Sequence, residues 1–137
     1  MSVANVGSQW SGGALQFYNA ITGGKLLTIS PDGVAIASGT ATATSGAATL
    51  NAQMGVVTSE SLTTTEGNLY TLTLTNSAIQ STSLVFATIC NGTNTGGLPE
   101  IATVTPGNGL VTIVVKNAGG SAFNGTIKVG FLAINPA

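Results

Sequence analysis

The chain has almost no charge, a single cysteine and no histidine. Of its 137 residues three are lysines, none is arginine and four are acids. Charged residues amount to 5%, against about 25% in an ordinary soluble domain. Each shortage excludes something. Lys25, Lys116 and Lys128 are too few to neutralise a run of phosphates, so no nucleic acid is expected as a partner. An anionic membrane surface is excluded by the same shortage. Without histidine no Ser-His-Asp triad exists, and one cysteine without histidine makes no zinc site. Cys90 can form no intrachain disulfide. It has no histidine base to activate it, so it is expected to be a buried packing residue in Leu84-Val85-Phe86-Ala87-Thr88-Ile89-Cys90. No apolar run approaches the ~18 residues needed to span a bilayer. The opening Met1-Ser2-Val3-Ala4-Asn5-Val6-Gly7 lacks a basic, then apolar, secretory leader, so synthesis in a cytoplasm is expected.

What the chain does hold is strand material. Hydrophobic residues make up 43% and mean hydropathy is +0.44, enough to form a core. Much of the rest is Thr, Ser, Asn and 19 Gly, which favour turns and strand surfaces over helix. Leu69-Tyr70-Thr71-Leu72-Thr73-Leu74-Thr75 alternates cleanly, with Tyr70, Leu72 and Leu74 on one face. Met54–Glu60, Ile101–Thr105, Leu110–Lys116 and Thr126–Ile134 read as further strands, and Pro106-Gly107-Asn108-Gly109 is a hairpin signal. Ser83–Cys90 is apolar on both faces, the pattern of a central strand. The expected fold is an all-β antiparallel β-sandwich, jelly-roll or immunoglobulin-like, with an N-terminal extended arm and β-hairpin. Leu72, Leu74, Val85, Ile113, Val115, Ile127, Val129 and Phe131 are its expected core.

Composition divides the chain near residue 50. Residues 1–50 comprise the arm, a hairpin over 25–37 turning at Ser30-Pro31-Asp32-Gly33, and a low-complexity stretch over 38–49. That stretch has no large apolar side chain and reads as an extended connector, ordered only where something packs over it. Residues 51–137 form the sandwich.

No catalytic site is expected. Asp32, Glu60, Glu66 and Glu100 are all the acids available for a glycosidase-type pair, and nothing places two of them together. Gly96-Gly97 and Gly119-Gly120 lack the lysine and helix of a phosphate loop. No metal and no cofactor is expected. Asn91-Gly92-Thr93 and Asn124-Gly125-Thr126 match the glycosylation pattern but read as tight turns. Thr40, Thr42 and Thr44 make a short period-two threonine row, too small for an ice-binding face. Trp10, Phe17, Tyr18, Leu26, Leu27 and Ile29 are the candidate partner anchors, since aromatic and large aliphatic side chains supply the most buried area per residue.

Three segments resemble parts of small β-rich virion proteins of tailed bacteriophages. They are Thr63-Thr64-Thr65-Glu66-Gly67-Asn68-Leu69-Tyr70-Thr71-Leu72-Thr73-Leu74-Thr75-Asn76, Val104-Thr105-Pro106-Gly107-Asn108-Gly109, and Asn124-Gly125-Thr126-Ile127-Lys128-Val129-Gly130-Phe131. Gly24-Lys25-Leu26-Leu27-Thr28-Ile29 followed by Ser30-Pro31-Asp32-Gly33-Val34 is similar to phage fibre and spike repeats. The resemblance implies a non-enzymatic capsid decoration (cement) protein or head fibre, homotrimeric, attached to a major capsid or other virion protein. It assigns no site residue. Low charge with positive hydropathy points the same way, because such a surface is soluble only if much of it is covered in an assembly. The alternative is a carbohydrate- or receptor-binding adhesion module using Trp10, Tyr18 or Tyr70.

Overall fold

A computed structural model describes residues 6–19, 25–31, 33–36 and 38–136, without the side chains of 6, 19, 25–27 and 33–35. Among the described residues there are twelve strands and no helix. None therefore offers a helix long and apolar enough to cross a membrane. The chain divides into two compact units, 1–37 and 38–137.

The first unit is a four-stranded antiparallel meander of β1 (Val6–Ser11), β2 (Ala14–Asn19), β3 (Lys25–Ser30) and β4 (Gly33–Ile36). Gly12 and Gly13 both have positive φ, the two-residue turn that matches the twist of a hairpin. The expected hairpin over 25–37 is the second half of this meander, with Ser30 paired to Gly33 across the turn. Asp32 lies outside the described residues.

The second unit is a sandwich of two four-stranded sheets. Sheet I runs β10 (Pro99–Gly107), β11 (Leu110–Asn117), β8 (Leu69–Thr75), β6 (Ala47–Thr49). Sheet II runs β5 (Ser38–Thr42), β7 (Met54–Thr58), β12 (Ile127–Ile134), β9 (Leu84–Asn91). Every pairing is antiparallel except β5 with β7 and β6 with β8, which are parallel. The parallel pairs arise because the chain swaps sheets between strands. It leaves sheet II after β5, visits sheet I as β6, and returns beside β5 in the same direction as β7.

Alternation fills the space between the sheets. Leu72 and Leu74 on β8 and Val111, Ile113 and Val115 on β11 meet Val57 on β7 and Ile127, Val129 and Phe131 on β12, with Phe123 and Ile79 from the loops. Seven of the eight expected core residues are buried; Val85 is only partly so, packed against the core from the edge strand β9. Ser83–Cys90 therefore does not form a central strand. In β9 the odd positions Val85, Ala87 and Ile89 face the core, and Leu84, Phe86 and Cys90 are exposed.

Residues 38–49 are not a connector but part of the sandwich. Their smallness is what the packing needs. Gly39, Ala41 and Ala43 alternate with Thr40 and Thr42, and Ala43 and Ala48 are buried. Leu50 lies across Gly39 and Gly55, where an added Cβ would come within 2.7 and 2.6 Å of its methyl carbons. Between β5 and β6 the chain turns at Ser45 (φ 51°) and Gly46 (φ 74°), closed by hydrogen bonds in both directions between Thr44 and Ala47.

Candidate interaction surfaces

The register of the N-terminal sheet sorts its side chains onto two faces. Trp10, Leu15 and Ile29 form one cross-strand row, and Ser8, Phe17 and Ile36 lie in the next row on the same face. Gln9, Gln16 and Thr28 occupy the opposite face. Trp10 is 75% exposed and Ile29 is exposed, with Leu15, Phe17 and Ile36 half-buried. Three of the candidate anchors, Trp10, Phe17 and Ile29, thus share one apolar face. Tyr18 does not join them. The chain shifts register between Phe17 and Tyr18, and the Tyr18 ring covers Gly7, where a Cβ would lie 2.6 Å from a ring carbon. The side chains of Leu26 and Leu27 lie outside the described residues, although the register places Leu27 in the Phe17 row.

The two outward faces of the sandwich differ sharply in chemistry. On sheet I, Thr71, Thr73, Thr75, Thr103, Thr105, Thr112 and Thr49 point outward, with Val114 among them and Leu69, Leu110, Glu100 and Lys116 at the ends. On sheet II the rows are Thr40-Val56-Gly130-Thr88 and Ser38-Met54-Leu132-Phe86, followed by Ile134-Leu84. Leu84 and Phe86 are each 61% exposed and Ile134 47%. Gly130 leaves a shallow depression of about 350 Å³ between Val56, Thr88, Phe86 and Leu132. Lys128 is the one charged residue on this face among the described residues, paired with Cys90 at the end away from Leu84. Cys90 is exposed there, not buried as expected, because an even position of β9 faces away from the core. The threonines of β5 lie on this face beside Val56 and Thr58, with Thr44 in the turn.

The acids do not converge. Glu66 is in an exposed turn and Glu100 on the outer face of sheet I. Glu60 holds the β5–β6 turn: its Oε1 accepts from the Gly46 amide at 2.8 Å and its Oε2 from the Tyr70 hydroxyl at 3.1 Å. Burial, with the Glu60 charge and this hydrogen bond adding to it, pushes the Tyr70 hydroxyl well above its ordinary ionisation range. Among the described residues no three metal-ligating side chains cluster.

The Asn-rich loops form a closed polar network, not a cleft. Asn117 is fully buried; its Oδ1 accepts from the amides of Leu98 and Gly119, and its Nδ2 donates to the carbonyls of Thr64 and Ser121. The two Asn-Gly-Thr turns lie side by side. The Thr93 and Thr126 amides each donate to the other's Oγ1 at 3.0 Å. Asn124 Oδ1 accepts from the amides of Thr95 and Gly96, and Asn94 bonds Asn91 and the Asn124 amide. No buried side-chain polar atom among the described residues lacks a partner. Asn117, Asn94 and Glu60 were missed as organising residues, because an isolated Asn or Glu in a turn-rich sequence looks like any other. Comparison with protein-family models, curated proteins and solved structures finds no match to this chain.

Proposed function

We propose that the chain is a non-enzymatic structural virion protein that decorates or cements a phage capsid, or forms a short head fibre, through homotrimeric association of its sandwich. The number three comes from the family resemblance. The observation that carries the reading is the presence of two separate apolar surfaces, one on each unit, in a chain with seven charged residues. The N-terminal sheet shows Trp10, Phe17 and Ile29 on one face, and sheet II shows Leu84, Phe86 and Ile134. Two such surfaces suit a protein with two contacts to make, one to its own copies and one to a scaffold. In this reading the N-terminal sheet attaches and the sandwich self-associates. Attachment then rests on apolar burial and is insensitive to salt, since a Debye length of about 8 Å at physiological ionic strength has few charges to screen.

The test is mass spectrometry of purified particles from a culture in which the gene is expressed during lysis. Recovery of the chain at tens of copies per particle, and its loss from particles with Trp10→Ser, supports the reading. Absence from particles overturns it. One observation favours a second reading. A tryptophan 75% exposed on a regular sheet is a platform on which a sugar ring stacks. Glycan binding abolished by Trp10→Ala would move the function to an adhesion module.

A further inference from the structure

We infer that the outer face of sheet II is the surface on which a second copy of this chain seats, with Phe86 of one copy entering the depression over Gly130 of the other. This rests on the structural reading above, with a two-fold contact between sandwiches where the resemblance implies three copies. Four observations lead there. The first is contrast within one domain. The outer face of sheet I is coated with threonine, whereas that of sheet II exposes Leu84, Phe86, Val56 and Ile134 in adjacent rows. Scattered exposed apolar residues mean little, but a contiguous patch marks an interface.

The second observation is area. With roughly 200 Å² for a large side chain laid bare, the exposed fractions of those four residues leave on the order of 400 Å² of apolar surface. Two copies apposed there bury about twice that from these residues alone. Met54, Leu132, Thr88 and the β5 threonines at the margin bring the total to the ~1,000 Å² that a specific interface needs.

The third is charge. The patch is neutral and Lys128 stands at its far end, so identical faces meet without repulsion. A strongly charged partner would find only Lys128, at the far end of this face, to pair with.

The fourth is shape. Phe86 is a knob on β9, and Gly130 is a hole on the neighbouring strand β12, one row along. A two-fold axis lying in the interface and bisecting the line from Phe86 to Gly130 puts each ring over the other copy's glycine. A depression of about 350 Å³ has room for an aromatic side chain.

Sedimentation of the full chain at about 10 μM tests this. The wild type is expected as an oligomer and Phe86→Asp as the 13.5 kDa monomer, its association weakened about 100-fold or more by a carboxylate pressed into an apolar contact. Leu84→Asp repeats the test at a second exposed position. Thr71→Asp, on the outer face of sheet I, is expected to leave the mass unchanged. Circular dichroism confirms that each variant is folded. A monomeric wild type, or a folded Phe86→Asp of wild-type mass, would overturn the inference, as would Thr71→Asp dissociating to the same extent. A chain found in particles yet monomeric in solution removes this contact and leaves the virion reading standing.

Discussion

Asn117 offers the most demanding test of how the loops are held. It ends β11, is fully buried, and makes four side-chain hydrogen bonds to four different loop positions: Leu98 at 3.1 Å, Gly119 at 3.0 Å, Thr64 at 2.9 Å and Ser121 at 2.7 Å. Its backbone joins the same junction, donating to Asn68 and accepting from Gly67. Truncation to alanine strips their partner from the Leu98 and Gly119 amides and the Ser121 carbonyl, and leaves the Thr64 carbonyl with the Phe123 amide alone. Each stranded group costs about 1–3 kcal/mol, reduced where loops relax and water enters. The expected loss for Asn117→Ala is about 4 kcal/mol, a large share of the roughly 5–15 kcal/mol that holds a domain. With a urea dependence of about 2 kcal/mol per molar, the unfolding midpoint falls by about 2 M. Asn117→Asp is the sharper variant. It keeps the acceptor for Leu98 and Gly119 but turns a second oxygen, in a buried anion, toward the Thr64 and Ser121 carbonyls. It should cost at least as much as alanine. A loss below about 1 kcal/mol in either variant would refute the argument, because it would mean the three loops hold their positions without this side chain.

Three further outcomes are expected. Phe131→Ala, at a buried position of the central strand β12, should cost roughly 3–5 kcal/mol by chemical denaturation, the range for emptying an enclosed aromatic site. Gly46→Ala should destabilise by about 2 kcal/mol or more on the same assay, since φ is +74° and the new Cβ would stand 2.5 Å from the Thr71 carbonyl oxygen. Tyr70→Phe should cost about 1–2 kcal/mol at neutral pH through loss of the bond to Glu60. It should also flatten the alkaline limb of stability. The folded state holds the Tyr70 proton more tightly than the unfolded one, so this contribution is whole below pH about 10 and is lost as pH rises beyond it. Melting curves between pH 7 and 11 that fall in parallel for both proteins would contradict that assignment.

The all-β class, most strand positions and the core face of the sandwich were legible in the sequence, because period-two alternation is a local property. Tyr70, Leu72 and Leu74, and likewise Ile127, Val129 and Phe131, declare their inward face within a single strand. What alternation does not contain is which strand lies next to which. Ser83–Cys90 looked central because apolar residues fill both its faces, yet it is the edge of sheet II, and its outward Leu84 and Phe86 form a surface patch. The same residue types serve burial within one chain and burial between chains, so only the fold separates the two uses. Residues 38–49 failed for the opposite reason. Small side chains signal a linker when read alone, but Leu50 lies over Gly39, and Ala41, Ala43 and Ala48 pack in or against the core. The roles of Asn117 and Glu60 depend on partners 53 and 14 residues away. A polar side chain acquires such partners only when the tertiary structure brings their backbone amides and carbonyls within reach.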